Sequence, residues 1–149
     1  EISVDQLLEV RDLVEVPAAS LAARRATAEQ LAELEATLVD PREADPAALH
    51  DCNHRFHALL VTAAGNPLLD LVARPLFGVL TTRFVRGDAP APFWDAVIDD
   101  HRLILAAVSS RDPARAAAAA RAHLGRLRAT YEQIDRQYGH GQAAETAGV

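Results

Sequence analysis

Three dipeptides, Asp45-Pro46, Asn66-Pro67 and Asp112-Pro113, constrain the fold of this chain more than any other feature. In each, a side-chain oxygen able to cap a helix precedes a proline whose fixed φ suits the first helical turn, where its missing N–H costs nothing. Each dipeptide therefore marks a helix start. Thr27-Ala28-Glu29-Gln30 adds a capping box, in which the Thr27 hydroxyl and the Gln30 amide each satisfy the other's backbone N–H. Between these marks apolar residues recur at three- and four-residue spacing, and no stretch alternates with period two, so strands are not expected.

The punctuation divides the chain into segments of about 4–25, 27–38, 46–64, 67–85, 93–109 and 113–138. Asp40 to Ala44 reads as a loop, Gly65 as a helix stop and Gly87 to Pro92 as a turn, while Pro17 should kink the first helix and Pro75 and Gly78 the fourth. Residues 139–149 lack periodicity and read as a disordered tail. The expected fold is all-α, an antiparallel bundle of six or seven helices over residues 1–138.

A net charge of −6, from 15 basic against 21 acidic residues, leaves no basic face for phosphates, so this piece should not hold DNA unaided. The single cysteine, Cys52, excludes an internal disulfide, and no apolar leader or run of about 18 apolar residues appears. A cytoplasmic protein with no membrane partner is the expectation.

In a bundle, the informative residue is a polar one on an apolar stripe, because burying it without a partner costs roughly 1–3 kcal/mol. His101 sits among Trp94, Val97, Ile98, Ile104, Leu105 and Val108, and His123 among Ala116, Ala120, Leu127, Tyr131 and Ile134. In the third segment the apolar face is set by Leu49, Cys52, Phe56, Leu59, Leu60 and Ala63. At about 100° per residue Asn53 lies about 60° from its centre, His57 about 100° and His54 about 160°. Asn53 and His57 therefore flank the core one turn apart, and His54 should face solvent. Spacing leaves two readings open. Each histidine is satisfied separately by a carbonyl or water, or His57, His101 and His123 converge with Asn53 on a divalent ion that satisfies four polar groups at once.

Arg11 lies on the first stripe between Leu7 and Val14, and Arg83 continues the fourth from Leu76 and Leu80. Either guanidinium can snorkel or pair with a carboxylate such as Glu9 or Asp99, or can face an interior cavity as a fork for an organic acid. Three histidines with an open coordination position can also activate water, so a small metal-dependent hydrolase or lyase is the alternative to a sensor. It would need a general base, and Asp99 and Asp100 point roughly 100° to 200° away from His101 on their helix.

Glu9-Val10-Arg11, Ala18 to Ala23, Ala26-Thr27, Asn53-His54-Arg55-Phe56-His57, Ala64-Gly65-Asn66-Pro67-Leu68-Leu69, Asp100-His101-Arg102-Leu103-Ile104 and Ala122-His123-Leu124 occur in this order. In these motifs the chain resembles the FCD domain, the C-terminal ligand-binding and dimerisation domain of FadR-type GntR-family transcriptional regulators, over about 7–128. The resemblance implies a homodimer that binds a small carboxylate metabolite next to one divalent ion, zinc first, with nickel, manganese or iron also compatible. Its ligand positions fall on Asn53, His57, His101 and His123, and Arg11 and Arg83 become the effector-binding candidates. Asn53 stands where the family more often has Asp, which should weaken cation binding and strengthen the pull on an anion. The resemblance also implies an N-terminal winged helix-turn-helix domain for operator DNA, which these 149 residues do not include.

Overall fold

The computed structural model describes residues 2–83 and 91–139, with side chains described for all of these except 80–83 and 133–139. Six helices run in chain order: α1 (Val4–Arg25), α2 (Ala28–Glu35), α3 (Pro46–Ala63), α4 (Pro67–Arg83), α5 (Ala91–Ser109) and α6 (Pro113–Gly139). No strand occurs among the described residues. The all-α bundle expected from the sequence is the architecture found.

Four of the predicted caps form. Thr27 and Gln30 make the full capping box, Asp45 accepts from the Ala48 amide at 2.8 Å, Asn66 from Leu68 at 3.2 Å and Asp112 from Arg115 at 3.0 Å. Ser3 and Gln6 form a second box ahead of α1, which the sequence reading left out. Gly65 adopts a left-handed φ of 65° at the end of α3, a conformation that costs an L side chain energy. A Cβ there would also meet Arg25 Cδ at 3.3 Å, and Arg25 itself donates to the Ala64 carbonyl at 2.9 Å.

Helix α2 stops at Glu35, short of the expected Leu38. Thr37 turns its hydroxyl back onto the Leu34 carbonyl at 2.7 Å, giving the backbone a local alternative to the next helical turn. Helix α5 begins at Ala91, inside the stretch read as a turn, with Pro92 in its first turn. The expected end of α4 at Val85 and the tail beyond Gly139 lie outside the described residues.

Helix α1 is the axis of the fold: it packs against α3, α4, α5 and α6. Ala18, Ala19, Ala22 and Ala23 are fully buried along it, and their small side chains let neighbouring backbones approach closely. A helix enclosed on so many sides has little room for a polar face. Arg11 and Glu15 are buried in its middle, at 1% and 2% exposure, which places a charged pair in the centre of the bundle.

Candidate metal centre

Helices α3, α5 and α6 each direct one histidine toward α1. His57, His101 and His123 are 3%, 0% and 1% exposed, and one nitrogen from each lies within 4.8 Å of the others. Their ring centroids are 4.9–5.3 Å apart. Segments distant in sequence thus bring three imidazoles to one point, which the stripe positions alone had left open.

Two of the rings are oriented by carboxylates. Glu15 Oε2 lies 2.7 Å from His57 Nδ1, and Asp100 Oδ2 lies 3.1 Å from His123 Nδ1. An ionised carboxylate only accepts, so in both cases Nδ1 carries the proton and Nε2 keeps its lone pair. Among the described residues neither nitrogen of His101 has a hydrogen-bond partner, and the ring of Phe56 stacks on it at 3.9 Å and 6°.

Burial comes first among the causes that hold these imidazoles neutral. It lowers the pKa of His57, with Glu15 opposing, and puts His101 well below the usual histidine value, with His123, His57 and Arg11 adding repulsion. It brings His123 down to about 4 against the opposing hydrogen bond to Asp100. Neutral imidazoles are the form that binds metals.

Arg11 closes the site on the α1 side. It donates through Nε to Glu15 Oε1 at 2.5 Å and through Nη1 to the Tyr131 hydroxyl at 3.2 Å. Its Nη2 is 3.5 Å from His57 Nδ1 and 3.4 Å from Nε2; with the Nδ1 proton directed at Glu15, Nε2 is the acceptor left for it on that ring. Burial alone would raise the Glu15 pKa, but Arg11 and His57 outweigh it and keep the carboxylate ionised well below its ordinary range. Burial would likewise lower the Arg11 pKa, and Glu15 and Tyr131 turn the net shift upward. The partner of Arg11 is therefore Glu15, one turn along the same helix, and not Glu9 or Asp99.

Several other assignments are refined. Asn53 sits half-buried one turn before His57 on α3. His54, expected to face solvent, is half-buried and makes a T-shaped contact with Phe77, with centroids 5.8 Å apart; α4 covers a face that the apolar pattern of α3 alone presents as outside. Arg83 ends α4, and its side chain lies outside the described residues. Asp99 is exposed and pairs with Arg102 at 2.8 Å. Asp100 does turn away from His101, but into the α5–α6 contact, where it holds His123 and takes two bonds from Arg126.

Sequence reasoning missed Glu15 and Asp100 as members of this cluster. For Glu15 the available signal was its i+4 spacing from Arg11. For Asp100 it was the pair His123 and Arg126, one turn apart on α6 and able to meet a single carboxylate.

Among the described residues, three buried nitrogens, His101 Nδ1, His101 Nε2 and His123 Nε2, have no hydrogen-bond partner. Leaving such atoms unpaired costs roughly 1–3 kcal/mol each. Of these three atoms, His123 Nε2 and one nitrogen of His101 are lone pairs. With His57 Nε2, once it is released from the 3.4 Å contact with Arg11 Nη2, they make a donor set of the kind that suits a divalent transition metal, so the residues present fit a metal.

The chain matches the family model of the FCD domain over residues 6–126. Among solved structures it is similar to Streptococcus agalactiae GntR, at 27% identity and a TM-score of 0.68, covering 84% of this chain and 57% of that one. It therefore spans little more than half of that relative's length. E. coli McbR/YncC shares the fold at 19% identity and a TM-score of 0.78, with 89% of this chain and 67% of that one covered. The metal-free FCD domain of TM0439 does so at 20% identity and 0.73, covering 91% of this chain and 95% of that domain. Comparison with curated proteins gives no match. Because the family match takes in most of the chain, and its core is the part that carries the three converging histidines, this chain belongs to the FCD domain family.

Proposed function

We propose that this chain is the effector-sensing domain of a GntR-type transcriptional regulator, holding one divalent ion through His57, His101 and His123, with Asn53 as fourth ligand. The observation that carries the reading is the group of unpartnered nitrogens on His101 and His123 at the meeting point of the three rings. Zinc is the first expectation for the metal, and nickel, manganese and iron suit the same donors. When bound, the ion supplies positive charge and open positions that attract a carboxylate.

The chain's own residues do the rest of the work. Glu15 and Asp100 fix ring orientation, and the apolar wall with Phe56 excludes water. Arg11 places a guanidinium beside His57, which makes that end of the site attractive to an anion. Arg83 is the second effector-binding candidate, on the strength of its place in the α4 stripe.

Regulation then requires that the carboxylate bind the DNA-competent and incompetent arrangements of a homodimer with different affinity. Operator DNA is contacted through a winged helix-turn-helix domain outside this chain, in the cytoplasm. Exposed Leu13, Leu68, Leu71 and Val72 are consistent with a partner subunit. No helix among the described residues is long and apolar enough to cross a membrane. The alternative, a metal-dependent hydrolase or lyase, needs an unengaged base, and the carboxylates beside these histidines are both tied to arginines.

Metal analysis after exposure to zinc tests the reading. We expect one ion per chain, lost in His57→Ala and His123→Ala, retained in His54→Ala and held more tightly in Asn53→Asp. Calorimetric titration of the zinc-loaded domain with a panel of small carboxylates should show binding. Absence of stoichiometric metal, or of heat from every acid, overturns the corresponding half of the proposal.

A further inference from the structure

We propose that Asp100 and Glu15 are positioning residues that commit His123 and His57 to one tautomer, so that both rings offer Nε2 to the same interior point. The inference deepens the metal reading given above and rests on it for its purpose, although the tautomers themselves exist without metal.

The geometry is specific. A histidine's two nitrogens compete for one proton, and an isolated neutral ring populates both forms. Here each Nδ1 faces a carboxylate oxygen, at 2.7 Å for His57 and 3.1 Å for His123. The carboxylates come from different helices than the rings they hold, α1 for α3 and α5 for α6. Neither carboxylate is spare charge, because each is itself fixed by an arginine: Glu15 by Arg11 through two nitrogens, Asp100 by Arg126 through two nitrogens. The arrangement arginine–carboxylate–imidazole thus occurs twice around one point. Partners of this kind on ligating histidines are typically worth about 10–100-fold in metal affinity.

At Asp100 the shared atom is Oδ2, which takes both His123 Nδ1 and Arg126 Nε, the latter at 2.8 Å. An asparagine can place its one oxygen there; its NH2 then faces the donors of Arg126, whose half-exposed side chain can swing aside into solvent. Asp100→Asn should therefore keep the His123 tautomer, whereas Asp100→Ala should free it.

The test uses two-bond ¹H–¹⁵N correlation spectra of the metal-stripped domain, together with zinc titration of the same samples. In the unaltered chain His57 and His123 should both show a protonated Nδ1 and a bare Nε2. In Asp100→Ala the His123 signals should move toward a mixture of tautomers while His57 stays as it was, and zinc should bind about 10–100-fold more weakly. Asp100→Asn should restore the single tautomer and most of the affinity, which a merely structural role for the carboxylate does not require. Glu15→Gln provides the same comparison for His57 without removing the side chain that accompanies Arg11.

A proton on Nε2 of His123 or His57 in the unaltered chain overturns the inference, as does full zinc affinity in Asp100→Ala. A chain that takes up no zinc while showing the expected tautomers overturns the metal reading instead, so the two failures are distinguishable.

Discussion

The two arginine–carboxylate–histidine arrangements have the same chemistry and opposite surroundings. On α1, Arg11 and Glu15 are sealed in the bundle, with Arg11 only 1% exposed. Across the α5–α6 contact, Asp100 is buried but its arginine, Arg126, has a side chain that is 52% exposed. Two charges removed from water cost several kcal/mol, which only close mutual contact offsets, and losing one partner strands the other. A pair with one end in solvent has no such liability. The inner arrangement is therefore bound more tightly to the stability of the fold than the outer one, whose arginine end can vary with little effect on it.

The largest expected effect follows from stranding a charge. Glu15→Ala should lower unfolding free energy by about 3–5 kcal/mol because Arg11 is left buried and unpaired, whereas Asp100→Ala should cost about 1–3 kcal/mol for the orphaned His123 Nδ1–H. Urea denaturation of both variants measures the difference, and equal losses would erase the contrast.

Acid should act next, and on the metal-stripped domain. His123 has a folded pKa of about 4 against an ordinary value near 6.5, so protons prefer the unfolded chain. The stability that its neutral form carries is intact above about pH 6.5 and drains away toward pH 4, with His123 alone removing about 1 kcal/mol by pH 5.5. Thermal melts across that range should show the decline, and a flat profile would mean that the ring is not desolvated. Smallest of all, Arg126→Ala should shift stability by less than about 1 kcal/mol, as removal of a half-exposed partner does. A loss as large as that of Glu15→Ala would show the outer arrangement to be as closed as the inner one.

The sequence made the helices legible because each start is encoded locally: a capping oxygen, a proline, then apolar spacing. His57, His101 and His123 were legible for a related reason, since an imidazole within or beside an apolar stripe stands out whatever it packs against. Glu15 was not, because α1 is enclosed on most sides and a charge next to Val14 looks like an ordinary solvent-facing residue until the neighbouring helices are in place. Asp100 was hidden differently. It lies about 100° from His101 around α5, and only the position of α6 turns that sideways direction into a contact with His123. His54 went astray through the same gap, since α4 lies over it and nothing in α3 says so. Periodicity reports a residue's angle on its own helix, and a site between helices also needs the angles between them.

Stacking on Phe56, with no hydrogen bond to either nitrogen among the described residues, has a mechanical consequence for His101. To exchange the atom it offers, the ring must turn about its Cβ–Cγ bond, and that motion sweeps its plane through the space where Phe56 lies 3.9 Å away. His57 and His123 are pinned instead at one corner, by carboxylates on neighbouring helices. Two jaws of this vice are bolted and the third is clamped flat, so a change in the atom that α5 presents requires Phe56 to move as well.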